Sequence, residues 1–439
     1  MRYDTVIANG RVLTLNPAFD IIEDGVVCIG NGIIERVESR ASDMAAYPAG
    51  EVIDAQKGLI MPGLVNAHGH MPMSLFRGLA DDLPLAEWLN EHIFPAETRH
   101  INASAVRAGT RLSCLEMILS GTTTCCDGYF LEDAVADAVV ETGLRAVLAQ
   151  GVIDFPAPGV SDPSRNVEAA AEYVSRWQNV SQLITPSIFC HSPYTCSSGT
   201  LTRAKAAAAR AGVPFQVHVA ETRQECNQIK AEYGISPVKY LDRLGVLDDK
   251  TLVSHAVWVD AEDIRILASR GSAIVHNPES NMKLAAGVAP VPDFIRAGIP
   301  VGLGTDGCAS NNNLDMFTEM DCAAKLHKVF SGDPTVMDAR QVLCMATIEG
   351  ARGLGLDQRI GSIEIGKEGD IIIINTHQPH LTPMYQPESH LVYAVRGADV
   401  RDVFVRGQAL LRNHEIVGMD VDTILAEAKT RGARISQSD

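Results

Sequence analysis

The chain has 439 residues with an ordinary globular composition, 46% hydrophobic and 21% charged, long enough for one large domain and a smaller one. Its 54 acidic residues against 37 Lys and Arg give a formal charge of −17, which argues against a nucleic-acid partner because phosphate recognition needs a basic face. No apolar run reaches the roughly 18 residues that span a bilayer. The ten cysteines, scattered singly apart from Cys125 and Cys126 and without a CxxC, read as reduced thiols rather than a disulfide framework.

The N-terminus alternates apolar and polar residues and carries no apolar leader core, so a cytoplasmic, soluble protein with no membrane partner is expected. Residues 3–15 (YDTVIANGRVLTL) and 25–37 (GVVCIGNGIIERV) read as strands broken by Asn-Gly turns. The C-terminal stretches DIIIIN (370–375) and VRDVFVRGQALL (400–411) have the same β-branched character. Neither end makes a stable sheet alone. The economical arrangement is one small β-sandwich built from residues 1–58 and 361–439, with 59–360 inserted as a second domain.

That middle alternates apolar strand runs with amphipathic helices. Strands are predicted at 63–70, 122–130, 145–152, 183–191, 214–221, 251–259, 272–279 and 300–307. Helices are predicted at 101–119, 164–178, 199–211 and 261–270, the third ending at Gly212. Eight alternations from 63 to about 352 fit a (β/α)8 barrel. An open doubly wound sheet fits less well, since no GxGxxG follows the first strand.

In such a barrel the chemistry lies at the C-terminal strand ends. His68 and His70 close the first strand, His191 the fourth, His218 the fifth, His255 the sixth, His276 the seventh and Asp306 the eighth. The HxH spacing of His68 and His70 points both rings to one face, and Gly69 leaves room for an ion. Imidazoles with a carboxylate suit Zn²⁺. Residues three apart on a strand face opposite sides, so Glu221 turns inward beside His218 only if the strand ends between them; there its carboxyl could move protons.

The segments PGLVNAHGH, RGLADDLPLAEWL, HSPYTCS, HVAETRQE, HNPESNMKLAAGVAP and GTDGCASNNNLDM resemble the methylthioadenosine/S-adenosylhomocysteine deaminases of the amidohydrolase superfamily, a branch shared with triazine chlorohydrolases. The likeness covers essentially the whole chain, including IGSIEIGKEGDIIIIN. It implies hydrolytic removal of the 6-amino group of an adenine nucleoside by hydroxide generated on one metal ion per chain, zinc, with iron or manganese as alternatives. His68, His70, His218 and Asp306 would be the ligands. Glu221 would protonate the purine at N1, His255 would hold and polarise the water, and Asp306 would double as general base. Glu97 would accept hydrogen bonds from both ribose hydroxyls and His191 would contact the nucleoside. Dinuclear relatives end their fourth strand in a carboxylated lysine; 183–196 contains no lysine, which favours a single ion. The partner expected is a small nucleoside, and a homo-oligomer is the expected assembly.

Other residues read more plainly. Cys125 and Cys126 suit packed thiols and His276 a structural role. Ser192 lacks a GxSxG setting for a nucleophile. Met71, Met73, Leu75, Phe76 and Trp88 suit either the pocket mouth or the core. Some relatives that accept S-adenosylhomocysteine carry an arginine at the end of strand three, suited to gripping a carboxylate. Gln150 stands there here, with Arg165 nearby, which favours methylthioadenosine or a similarly neutral 5′-substituent. The alternative chemistry on the same metal site is hydrolysis of a triazine-type ring, which has no use for a ribose-binding carboxylate.

Overall fold

The computed structural model describes residues 2–40 and 44–436. Five strands open the chain: β1 (Tyr3–Leu13), β2 (Ile21–Gly30), β3 (Ile33–Ser39), β4 (Ala49–Asp54) and β5 (Leu59–Pro62). Eight more follow: β6 (Leu64–Gly69), β7 (Thr122–Tyr129), β8 (Arg145–Val152), β9 (Ile184–Cys190), β10 (Phe215–Val219), β11 (Thr251–His255), β12 (Ala273–His276) and β13 (Val301–Leu303). The last four are β14 (Ile371–Ile374), β15 (Val400–Val405), β16 (Gln408–Arg412) and β17 (Glu415–Ile416).

β6 to β13 lie side by side in chain order, all parallel. The barrel closes where Gly69 bridges Asp306 and the Asp306 N–H donates to the His68 carbonyl at 3.0 Å. Asn66 and Thr305 reinforce this closure through bonds of 2.8 and 3.0 Å. Fully buried runs such as RAVLAQGV form the strands because both faces are covered. Helices between them start and stop where the chemistry dictates. Ser197 caps Ser198–Ala211, Gly212 ends it at φ 72°, and Asp260 with Asp263 forms a capping box on Ala261–Arg270.

The remaining strands make one mixed sheet from both chain ends, ordered β17-β16-β15-β14-β5-β1-β2-β3, with β4 also on β1. β14 shows why the ends need each other. Ile371 and Ile373 pack into the sheet's own core, while Ile372 and Ile374 pack against the barrel. β5 does the same with Ile60 inward and Leu59 and Met61 toward the barrel. One residue later, at Gly63, the chain enters the barrel; a Cβ there would meet the Thr123 side chain at 2.1 Å.

The two Asn-Gly pairs behave differently. Asn31-Gly32 is the expected hairpin turn, with both φ values positive. Asn9-Gly10 is a bulge within β1: Asn9 sits at φ 61° and the register with β2 shifts between Ala8 and Gly10. The strand continues because β4 and β5 together line its other edge and keep the ladder paired. All ten cysteines are free, with Cys125 and Cys126 buried. Among the described residues no helix is long and apolar enough to cross a membrane.

Candidate active site

The residues singled out at the strand ends converge. His70, Glu97, His191, His218, Glu221, His255 and Asp306 all line one cavity of roughly 750 Å³, counted with its open mouth. His68 lies just beneath, 1% exposed. Its Nε2 is 3.1 Å from Nε2 of His218 and 3.5 Å from Oδ1 of Asp306, and Nε2 of His70 lies 3.2 Å from the same oxygen. Nitrogen and oxygen atoms of His68, His70 and Asp306 fall within 4.8 Å of one another, as do those of His68, His218 and His255.

This donor set fits a divalent cation. Burial pushes His68 down to about 4 and His218 well below its usual range, so both rings are neutral with lone pairs free. On His70 burial pulls the same way, but Asp306 and Asp127 outweigh it and hold the ring near 9; a dication binding there displaces a proton. Nδ1 of His70 lies 2.7 Å from the Gly128 carbonyl, to which it can only donate, and this turns Nε2 inward. For Asp306, burial favours the neutral acid, yet bonds to His68 and His70 carry its carboxyl well below the usual range.

Local backbone explains how these groups aim. β10 ends at Val219, Ala220 takes φ 54°, and Glu221 is thereby turned into the cavity. Glu225 fixes this reversal by accepting the N–H groups of Ala220 and Glu221, each at 2.8 Å. His255 at φ 73°, Ala256 at 46° and Asp306 at 61° are likewise left-handed, strain of a kind that clusters at functional sites. Glu221 Oε2 lies 3.8 Å from His255 Nε2, and burial, the largest influence, raises the Glu221 carboxyl.

Two further elements bring a carboxyl and a hydroxyl group to the site. Glu97, 5% exposed on helix Phe94–His100, accepts a short hydrogen bond from the Tyr129 hydroxyl at the end of β7. Burial pushes Glu97 up to about 7 even against that bond. The rest is apolar and aromatic: Met73, Leu85, Trp88, Leu89, Ile93, Phe94 and Phe189. Met73 and Trp88 thus line the pocket, whereas Met71 and Phe76 are core side chains and Leu75 packs against them. His191, held by Thr195 at 3.0 Å, is pushed by burial to about 3.

His276 stays out of the cavity, its Nε2 3.0 Å from that of buried His327. Gln150 also turns away, accepting the Glu132 N–H, and Arg165 is exposed and paired with Glu172 at 3.5 Å. No lysine or arginine lines the pocket among the described residues. Sequence reasoning passed over Asp127 and Tyr129, which flank Gly128 at the end of β7; the strand-end argument that found the histidines would have found them. It also passed over Ser280 and Ser310, whose hydroxyls hold Asp306 Oδ2 at 2.7 and 3.0 Å.

Residues 59–410 match the amidohydrolase family. A 5-methylthioadenosine/S-adenosylhomocysteine deaminase of Syntrophobacter fumaroxidans is 45% identical over 98% of this chain and 97% of its own. A 5′-deoxyadenosine deaminase of Methanosarcina acetivorans is 43% identical, covering 97% of each. The crystal structure of an adenosine deaminase from Xanthomonas campestris with bound zinc superposes with a TM-score of 0.97 at 37% identity, covering 99% of both chains.

Proposed function

Since this chain belongs to the amidohydrolase family, we propose that it is a metal-dependent deaminase that removes the 6-amino group of an adenine nucleoside and releases ammonia. The observation that carries this reading is the single cavity. It brings together a cation-type cluster, the Glu221–His255 pair, the buried carboxyl of Glu97 and aromatic side chains.

His68, His70, His218 and Asp306 would hold one zinc ion. When bound, the ion supplies Lewis acidity that makes hydroxide available near neutral pH. The residues handle the protons. An aminopurine is electron-rich, and C6 resists attack until N1 is protonated. Glu221, whose carboxyl burial shifts toward its acid form, delivers that proton. Asp306 takes the proton released as water adds at C6, and His255 orients that water from beside Glu221. Asp306 then passes the proton it took to the amino group, which leaves as ammonia, while the hydroxyl proton at C6 returns to Glu221 and the ring recovers its carbonyl form. No covalent nucleophile is needed; Ser192 is occupied with Thr195 at 2.7 Å.

Glu97 accepts from the ribose hydroxyls, and His191 contacts the nucleoside. Among the described residues no lysine or arginine lines the pocket to grip a homocysteine carboxylate, which favours a neutral 5′-group such as methylthio or hydrogen. One charged hydrogen bond is worth about 1.5–3 kcal/mol, so kcat/KM for S-adenosylhomocysteine should fall at least about tenfold below that for methylthioadenosine. Ammonia release would be followed on methylthioadenosine, 5′-deoxyadenosine, S-adenosylhomocysteine, free adenine and a chlorotriazine. Fast release from the first two with adenine poor supports the reading. Turnover of the triazine alone would replace it with the second chemistry.

A further inference from the structure

Helix Pro278–Lys283, which follows β12, touches two other strand ends at once. Ser280 Oγ lies 2.7 Å from Asp306 Oδ2. The next residue, Asn281, places Oδ1 2.9 Å from Nδ1 of His255, closer than the 3.3 Å contact from the Asn277 amide nitrogen. Ser280 and Asn281 are 0% and 1% exposed. Asn281 Nδ2 is buried with no hydrogen-bond partner among the described residues. Leucine would fill the same space without an unpaired amide, so packing does not account for asparagine here. Meanwhile His255 and Asp306 both sit in left-handed backbone, where neighbours must hold the side chains in place.

We propose that Ser280 and Asn281 are positioning residues that hold Asp306 and His255 in register with each other. The proposal rests on reading those two as proton-handling groups of the site. Asn281 Oδ1 accepts from Nδ1–H of His255, which selects that tautomer and leaves Nε2 with its lone pair toward Glu221. Ser280 donates to Asp306 Oδ2, so Oδ1 is the oxygen left facing His68 and His70. Because the two residues are adjacent on one short helix, any movement of it displaces both partners together.

The test uses the metal-loaded full chain and the variants Asn281→Leu, Ser280→Ala and Ser280→Thr. Asn281→Leu should lower kcat at least tenfold, with KM within twofold, one metal per chain, and a Tm at or above that of the parent. The ¹⁵N spectrum of His255 should show the Nδ1–H tautomer in the parent and lose it in the variant. Ser280→Ala should lower kcat, and Ser280→Thr, which keeps the hydroxyl, should restore most of it. An unchanged kcat and ¹⁵N pattern in Asn281→Leu would overturn the proposal. So would a lowered Tm with full kcat per folded molecule, which marks a packing role. If the parent deaminates no adenine nucleoside, the functional reading fails, but the His255 spectrum still decides the positioning claim.

Discussion

Two places in this molecule take polar groups out of water, and they do so in different ways. At the seam between barrel and end sheet, Arg145 is 1% exposed. Its Nε lies 2.8 Å from Asp370 and its Nη2 bonds Glu368, which also meets Arg359 at 2.7 Å and Arg406 at 3.0 Å. Each buried charge there faces its opposite. At the rim, besides the His70–Asp306 contact, imidazole faces imidazole: Nε2 of His68 and of His218 stand 3.1 Å apart near left-handed backbone, and His68 Nδ1 is buried with no partner among the described residues. A fully paired cluster needs no ligand to explain it. A convergent set of lone pairs on strained backbone gives up stability in exchange for chemistry.

The sharpest way to break this contrast is at the rim. Glu221→Gln keeps the volume and removes the proton donor, so kcat should fall about 10²–10⁴-fold while metal content and Tm hold. Ammonia release assayed alongside metal analysis checks it; a variant with parental kcat would end the proton-shuttle role of Glu221.

The seam should answer in reverse. Arg145→Met leaves Asp370 and Glu368 buried beside a thioether, and removing one partner of a buried ion pair costs about 3–5 kcal/mol. Denaturant melts should register that loss, while kcat per folded molecule stays at the parental value. If activity fell as steeply as stability, seam and rim would be one coupled unit and the distinction would not stand.

The same contrast explains what could be read from the sequence. Ligand-type residues were legible because strand ends can be found from apolar runs, and His68, His70, His218, His255 and Asp306 all fall at such ends. Glu221 was legible only conditionally: its inward turn depends on φ at Ala220, which Glu225 enforces from the following helix. Ser280 and Asn281 were invisible because nothing in HNPESN says which strand ends that helix will touch. The seam was hidden for a related reason: Arg145 and Asp370 are 225 residues apart and meet only when the barrel closes under the sheet. Asn9-Gly10 misled for the opposite cause. Its local turn chemistry is real, but pairing along both edges of β1 overrides it and leaves a bulge.

Glu97 lies between the two extremes, a buried carboxyl with one neutral donor, Tyr129, and the more distant charge of His70. Burial lifts it from an ordinary 4.5 to about 7, so the fold favours its protonated form. Its contribution to stability is therefore complete below about pH 4.5 and is lost as pH rises through 7. Relative to Glu97→Gln, the parent should lose on the order of 3 kcal/mol across that window, at 1.36 kcal/mol per pKa unit. Ribose hydroxyls donate, so the nucleoside needs the ionised form, and the parent's kcat/KM should climb through pH 7. In Glu97→Gln that climb should vanish and KM for nucleosides should rise about tenfold, while turnover of free adenine is unchanged. Pairing the two titrations separates the causes. A stability window without the kcat/KM limb leaves Glu97 as a buried acid with no part in binding. The limb alone means that substrate, rather than the fold, sets its ionisation.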